Sequence, residues 1–186
     1  MLDLFDKIQE SVAFIKSKWS QTPKAGIILG TGLGSLVEKI EVAVSIDYAD
    51  IPNFPQSTAI SHKGQLVCGT LNGLPVIAME GRIHMYEGYP LKEITLPVRV
   101  MKALGADLLV CSNAVGGLNP YFSEGDIMLI EDQINLMGDN PLIGINDDRL
   151  GPRFPDMCEP YCHKLIDRAL RIARAQDIVA HQGVLV

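Results

Sequence analysis

The stretch from Gly81 to Tyr89, Gly-Arg-Ile-His-Met-Tyr-Glu-Gly-Tyr, carries the residue types with the most chemistry in this sequence. Alternate side chains of an extended chain point the same way, so we predict that Arg82, His84 and Tyr86 share one face. A guanidinium binds phosphate oxygens, an imidazole donates a charge-assisted hydrogen bond, and a phenol stacks on or hydrogen-bonds a sugar. The row favours a site for a phosphate and a sugar. A solvated edge strand, with Arg82 paired to a neighbouring glutamate, remains the alternative from residue types alone.

Two glycine-containing turns could bring backbone N–H groups to the same anion. Gly30-Thr-Gly-Leu-Gly-Ser35 and Ser112-Asn-Ala-Val-Gly-Gly117 each follow a short apolar run. Glycine permits close approach of the backbone to a ligand, and open α/β sheets bind ligands where their strands end. Each turn is equally compatible with a structural role. His62, taken by itself, is typical of a surface loop.

Nucleotide-binding folds and a zinc site fit the motifs poorly. A dinucleotide fold requires the spacing G-x-G-x-x-G and a full crossover helix, and neither is present although Asp47 or Asp50 could supply its acidic residue. A P-loop would need a Gly-Lys-Ser/Thr element, which is absent. The cysteines of Cys158-x3-Cys162-His163 are wrongly spaced for a structural zinc site and lack a second ligand pair. We predict no metal.

The composition is that of an ordinary globular protein, with 47% hydrophobic and 20% charged residues in a chain of 186. We expect a single domain over residues 1–186. The net charge of −6 and the absence of a Lys/Arg run argue against polymeric nucleic acid, but not against a small anion. No long apolar run and no basic leader is present, so we predict no membrane span and a cytoplasmic location. Four cysteines, at positions 68, 111, 158 and 162, are predicted to be reduced and buried.

Apolar periodicity and turn signals predict an α/β fold with a mixed sheet. The first twenty residues read as an amphipathic helix, and Asn72-Gly73 joins two apolar runs as an antiparallel hairpin. Residues 137–160 are predicted to be a long surface segment that carries specificity. The remaining predicted elements are strands at 24–29, 42–46, 107–111, 125–131 and 183–186, and helices at 36–40, 94–104 and 161–175, the last with Leu165, Ala169, Ile172 and Ala173 on its apolar face.

Taken in order, a set of motifs along nearly the whole chain resembles the trimeric purine nucleoside phosphorylases. The motifs are Ile28-Leu-Gly-Thr-Gly-Leu-Gly34, Ile51 to Thr58, Gly81 to Pro90, Asn113 to Pro120, Gly125 to Ile130 and Arg153-Phe-Pro155. The resemblance implies a mixed, partly barrel-like β-sheet flanked by helices. It also implies phosphorolysis of inosine- or guanosine-type nucleosides to free base and ribose 1-phosphate in purine salvage, by a homotrimer that uses inorganic phosphate as co-substrate and no metal or organic cofactor.

The same resemblance assigns roles to individual residues. The phosphate-site matches are Thr31, His62, Arg82, His84, Asn113 and Ala114, with His84 as the catalytic residue. Tyr86 matches the ribose contact, and Phe154 matches the residue that closes the neighbouring subunit's site. The family's purine-binding residues lie beyond Val186, so none is assigned, and we expect the fold to be incomplete at its C-terminus and turnover by this chain to be weak. Ser61 and Gln133 stand where the family commonly has glycine and histidine, a difference that sequence alone does not interpret.

Two other functions stay open at this point. One is a methylthioadenosine phosphorylase, although that relative usually differs at the glycine loop and at the Gly-Arg-x-His-x-Tyr run. The other is an inactive module that binds phosphate or assembles with other subunits. The sequence fixes neither the base preference nor the oligomeric state.

Overall fold

The computed structural model describes residues 3–30, 32–56 and 63–186. The chain divides into two compact units, Met1–Ala114 and Val115–Val186. Each unit has its own sheet, and the single domain expected from length stays a prediction. No helix among the described residues is long and apolar enough to cross a membrane.

The predicted N-terminal helix is confirmed as α1, Leu4–Lys18. It begins where the Asp3 carboxylate accepts a hydrogen bond of 2.8 Å from the Asp6 backbone N–H, which satisfies one of the donors that a helix leaves unpaired at its start. Its buried side follows the spacing that the sequence predicted, through Ile8, Val12 and Ile15.

The first unit is built on a mixed sheet, as predicted. Its strands are β1 (Ala25–Ile28), β2 (Glu41–Asp47), β3 (Gln65–Leu71), β4 (Leu74–Glu80) and β5 (Leu108–Cys111). They lie in the order β2-β3-β4-β1-β5, so the sheet is open and not a closed barrel. β2, β3 and β4 pair antiparallel, whereas β1 lies parallel to both β4 and β5. The carboxyl ends of β4, β1 and β5 therefore meet at one edge.

The hairpin between β3 and β4 turns at the predicted dipeptide. Asn72 and Gly73 have φ values of 50° and 77°. Positive φ at both central residues is what a two-residue turn of this hand requires, and Asn-Gly is the pair that tolerates it best. The turn fixes the strand register in which Gln65 lies opposite Glu80.

The helices of the first unit lie close to their predicted positions. Leu91–Ile94 forms a short α2, and Leu96–Leu104 forms α3, with Pro97 in its first turn, where the missing N–H costs no helical hydrogen bond. The predicted helix at 36–40 is a 3₁₀ helix, Gly34–Lys39. Two further 3₁₀ turns are Tyr48–Asp50 and Met85–Glu87.

Tyr48 anchors the carboxyl end of β4. Its ring is fully buried, and its hydroxyl donates a hydrogen bond of 2.5 Å to the carbonyl oxygen of Gly81. Burial, and after it the carboxylate of Glu80, raises the pKa of this phenol. The hydroxyl therefore stays a neutral donor.

The second unit contains a parallel pair of strands and a helix. β6 (Ile127–Gln133) pairs with β7 (Ala180–Leu185), and α4 runs from His163 to Ala175. Residues 134–162 form neither helix nor strand, as predicted for the long surface segment. His181 Nε2 lies 2.8 Å from Asp126 Oδ2, which ties β7 to the turn before β6.

Burial differs from the sequence expectation in two places. The buried residue of α4 is Ile166, while Leu165 and Ile172 are exposed; Ala169 and Ala173 lie at helical spacing from Ile166 as well as from Leu165, so the sequence left the apolar face ambiguous. All four cysteines are free, as expected, but only Cys68 is buried. Burial raises the pKa of the Cys68 thiol to about 12, whereas Cys111 lies on the outer strand and Cys158 and Cys162 lie in the irregular segment before α4.

Replacing Tyr48 with Phe should lower the free energy of unfolding by about 1–3 kcal/mol, because the carbonyl oxygen of buried Gly81 loses its hydrogen-bond donor. Urea denaturation of the wild-type and Tyr48→Phe proteins measures this difference. Tyr121→Phe is the control, since Tyr121 is 87% exposed and should unfold like the wild type. Equal stability of all three proteins would contradict the anchoring role.

Candidate active site

The candidate site lies where β4, β1 and β5 end. Parallel strands direct the chain out of the sheet at the same edge, which is where α/β proteins bind ligands. Here the three exits are Gly81-Arg82, Leu29-Gly30 and Ser112-Asn113. The sequence motifs with the most chemistry are thus brought together by strand order.

Arg82 links the end of β4 to the end of β5. Its Nη1 donates a hydrogen bond of 3.0 Å to the carbonyl oxygen of Ser112, and its Nε donates one of 3.1 Å to His84 Nε2. The side chain is half-buried. A guanidinium held at two points is fixed in orientation, which suits it to an anion of defined geometry.

His84 is held between Arg82 and Glu87. Its Nδ1 lies 3.1 Å from Glu87 Oε1, which also accepts a hydrogen bond of 2.7 Å from the His84 backbone N–H. Because a guanidinium only donates, Nε2 is the acceptor, so the ring proton of neutral His84 sits on Nδ1 and is donated to the carboxylate. The arrangement defines the tautomer of His84.

Glu87 is a site residue that the sequence reasoning did not assign. Its side chain is 1% exposed and bonds both the ring and the backbone of His84. The available signal was the spacing of three residues between an imidazole and a carboxylate at the start of a helical turn, which is the capping-box pattern.

Tyr86 lies beside His84, but its backbone conformation differs from the extended one predicted from the sequence. The chain is extended at His84 but turns into a 3₁₀ helix over Met85–Glu87, so the extended row ends at His84. The ring of Tyr86 nevertheless stacks on that of His84, with centroids 4.7 Å apart and planes 14° apart. Tyr86 is 78% exposed, so its phenol faces outward beside the imidazole.

The turns after β1 and β5 approach each other closely at Gly30. Its N–H donates a hydrogen bond of 3.1 Å to Ser112 Oγ. A Cβ at position 30 would lie 2.4 Å from the Ser112 carbonyl oxygen and 2.8 Å from the Asn113 Cα, so only glycine fits. Asn113 is half-buried and Ala114 is exposed, which places their backbone beside the Arg82 contact.

Other predicted residues fall elsewhere. Thr31 and His62 lie outside the described residues. Phe154 belongs to the second unit and is 86% exposed, while the adjacent Arg153 donates hydrogen bonds of 2.8 Å to the carbonyl oxygens of Leu142 and Gly144. These hydrogen bonds close a loop from Leu142 to Arg153, and the ring of Phe154, the next residue, is exposed.

Gln133 now has a structural interpretation. Its amide donates to the hydroxyl of Tyr161, which ties the end of β6 to the chain just before α4. Among the residues that the structure describes, no group of three or more His, Cys, Asp or Glu could hold a metal ion.

Known proteins match this chain over most of its length. The sequence model of the phosphorylase superfamily matches residues 24–186. Purine nucleoside phosphorylase 1 of Bacillus subtilis (strain 168) is 52% identical over 179 residues, which are 96% of this chain and 66% of that protein. Purine nucleoside phosphorylase of Bos taurus is 48% identical over 168 residues, 89% of this chain and 58% of that protein. The chain therefore spans roughly two thirds or less of these relatives.

Solved structures match the fold as well. A crystal structure of purine nucleoside phosphorylase isoform 2 from Schistosoma mansoni, in complex with cytosine and ribose-1-phosphate, has a TM-score of 0.91 and 44% identity, and the match covers 97% of this chain and 65% of that one. A purine nucleoside phosphorylase in complex with ribose-1-phosphate has a TM-score of 0.93 and 38% identity, and the match covers 100% and 71%. The chain thus belongs to the phosphorylase superfamily and, within it, to the purine nucleoside phosphorylases.

Proposed function

We propose that this protein cleaves purine nucleosides of the inosine and guanosine type with inorganic phosphate, giving the free base and ribose 1-phosphate. The observation that carries the proposal is the placement of Arg82, which is held by Ser112 and His84 where three parallel strands end. The solved relative bound to ribose-1-phosphate supports it, since that ligand is the sugar product of the proposed reaction.

The proposed reaction breaks the bond between the anomeric carbon and the purine nitrogen, and the bonding electron pair leaves with the base. Positive charge develops on the ribosyl group, and a phosphate oxygen forms the new bond to the anomeric carbon. A phosphate held by fixed donors stabilises that charge and is already placed for attack. Phosphate is therefore both co-substrate and electrostatic catalyst. The departing purine needs a proton or a hydrogen bond to leave as a stable base.

Arg82 and His84 would supply the described part of the phosphate site. Arg82 offers a fixed guanidinium to phosphate, and His84 holds it in place, because His84 Nε2 accepts a hydrogen bond from Arg82 Nε. The Glu87 carboxylate, 3.1 Å from Nδ1, fixes the orientation of the imidazole. By resemblance, the backbone at Asn113-Ala114, the Thr31 hydroxyl and His62 complete the phosphate contacts.

Tyr86 would contact the ribose. Its exposed phenol lies stacked beside the imidazole of His84, so a sugar bound next to the phosphate meets either its ring face or its hydroxyl. No metal or organic cofactor enters the proposed mechanism.

A homotrimer and a cytoplasmic location complete the proposal. The resemblance assigns Phe154 to the site of a neighbouring subunit, and its outward display by the Arg153 loop supports that role. Exposed apolar side chains of the same irregular segment give a second subunit a surface to bury; they include Leu142, Ile143, Ile145 and Met157.

The reaction class is tested by releasing base from inosine with and without phosphate. We expect hypoxanthine only when phosphate is present, with ribose 1-phosphate formed in equal amount. Release without phosphate would identify a hydrolase, and no release under either condition would identify a binding or assembly module. The assay is run on the 186-residue chain and on the protein expressed from the complete gene.

Replacing Arg82 with Lys should raise the phosphate KM roughly 10- to 100-fold, because a lysine keeps the charge but lacks the planar group whose separate nitrogens contact His84 and Ser112 and orient further donors towards an anion. Initial rates at varied phosphate, with saturating inosine, measure the change, and the inosine KM should move little. Arg171→Lys is the matched control, since Arg171 lies on the exposed side of α4. An unchanged phosphate KM would remove Arg82 from the site.

Replacing Phe154 with Ala should raise the nucleoside KM about 10-fold without dissociating the trimer, because one aromatic side chain closes each neighbouring site. Steady-state kinetics and sedimentation velocity on the complete gene product measure the two quantities. Tyr121→Ala is the control, since Tyr121 is an aromatic residue that is 87% exposed and lies outside the irregular segment. A monomeric wild-type enzyme of full activity would overturn the trimer proposal.

A further inference from the structure

The fold buries a carboxylate beside the glycine turn. Glu80 ends β4 and is buried, with Oε1 2.8 Å from Lys63 Nζ and Oε2 accepting a hydrogen bond of 2.5 Å from Gln65 Nε2. The Lys63 side chain is 68% exposed, so the pair joins a buried anion to a cation at the surface. Because the ammonium is largely exposed and screened by solvent, this pair stabilises the fold less than a fully buried pair, and its position suggests a further role.

The backbone around this pair is locked at the same place. The Gly64 N–H donates a hydrogen bond of 3.0 Å to the Glu80 carbonyl oxygen, and the Tyr48 N–H donates one of 2.9 Å to the Gly64 carbonyl oxygen. Gly64 has a φ of 68°, which a residue with a side chain adopts only at a cost. Together with the Tyr48–Gly81 bond, these contacts fasten residues 63–65 to residues 80–81.

The two fastened segments lead directly to proposed phosphate ligands. In the sequence, Lys63 follows His62, and Gly81 precedes Arg82. The junction thus fixes where the chain leaves β4 towards Arg82. A change at the junction therefore acts on Arg82, which follows Gly81 directly in the chain.

Glu80 and Lys63 also line the cleft that the glycine turn lines. This cleft of ≈ 610 Å³ is bordered by Glu80, Lys63, Glu38 and the glycines at 30, 32 and 34. A Cβ at Gly34 would lie 3.9 Å from Glu80 Oε1, so the carboxylate faces the turn itself. A negative wall repels phosphate unless a cation offsets it.

Lys63 is the cation that pairs with the Glu80 carboxylate on this wall of the cleft. The hydrogen bond and charge of Glu80 raise the pKa of the Lys63 ammonium above its ordinary value, with a smaller contribution in the same direction from Glu38. Lys63 therefore stays protonated over the pH range in which phosphate is a dianion. Its charge balances that of Glu80 whenever phosphate enters.

We propose that Lys63 is a positioning residue for phosphate binding: it neutralises the Glu80 carboxylate on the cleft wall and holds the junction from which Arg82 departs. This inference rests on the proposed function. It predicts a specific sign in a double-mutant cycle, because Lys63 is needed only while Glu80 carries its charge.

The test uses the protein expressed from the complete gene, with the variants Lys63→Met, Lys63→Arg, Glu80→Gln and Lys63→Met/Glu80→Gln. Initial rates of inosine phosphorolysis are measured at varied phosphate and low ionic strength. Lys63→Met should raise the phosphate KM about 3- to 10-fold with little change in the inosine KM. Lys63→Arg should stay near the wild type, and the penalty of Lys63→Met should shrink at high salt.

The double variant decides the interpretation. Glu80→Gln removes the charge and keeps an acceptor for Gln65, so Lys63→Met/Glu80→Gln should regain most of the lost phosphate affinity. A double variant as weak as Lys63→Met, or a Lys63→Met enzyme with unchanged phosphate KM, would overturn the inference while wild-type phosphorolysis upholds the proposed function. A wild-type protein without phosphate-dependent base release would overturn both.

Lys102→Met is the matched control. Lys102 forms a surface pair with Asp107 at 3.9 Å, and both side chains are largely exposed. Neither residue lines the cleft. Loss of this lysine removes the same charge from the protein without touching the junction. A rise in phosphate KM as large as that of Lys63→Met would show that net charge alone is responsible, and would overturn the inference.

Discussion

The close approach of two turns at Gly30 is the constraint on which the rest of the site depends. With any side chain at position 30, the Cβ would collide with the Ser112 carbonyl group, and the ends of β1 and β5 would have to separate. That same carbonyl accepts the Arg82 hydrogen bond. The glycine that follows β1 therefore sets the distance that Arg82, which follows β4, spans to reach Ser112, which follows β5.

Polar groups at this edge of the sheet are held in pairs because isolated ones would be costly to bury. Tyr48 donates to Gly81, Glu87 accepts from His84, and Glu80 accepts from Gln65 beside Lys63. Each pair lies one or two residues from a side chain that we propose contacts phosphate or ribose. These hydrogen-bonded pairs support the site residues. A mutation in a supporting residue would change the geometry of the site, and would change the reaction only as a result.

Much of the fold follows from patterns that act over short distances along the chain. The spacing of Ile8, Val12 and Ile15 predicted α1, and Asn72-Gly73 predicted the hairpin, because helical periodicity and turn conformation are properties of adjacent residues. Arg82, His84 and Tyr86 were expected together and are together. The sequence could not reveal the 3₁₀ turn at Met85–Glu87, since the Glu87 carboxylate that caps it was equally plausible as a partner of Arg82.

Other features depended on contacts that no local pattern encodes. Ile166 is buried because α4 packs against β6 and β7, although the neighbouring Leu165 is equally apolar. The exposure of Cys111 follows from the position of β5 at the end of the strand order, which is a property of the whole sheet. Local sequence does not identify the partners of Glu80, because Gln65 lies opposite Glu80 only in the register of the folded hairpin.

The strand order also sets the sequence of events in which the site can assemble. The hairpin of β3 and β4 closes over two residues, so it forms among the earliest contacts of a folding chain. The bond from Gly30 to Ser112 spans 82 residues, and the bond from Arg82 to Ser112 spans 30. Closing such long loops costs entropy before any contact repays it, and parallel pairing is slow for that reason. Arg82 therefore reaches the end of β4 early in folding, but its hydrogen bond to Ser112 forms only when β5 pairs with β1. The anion site is thus a late product of folding.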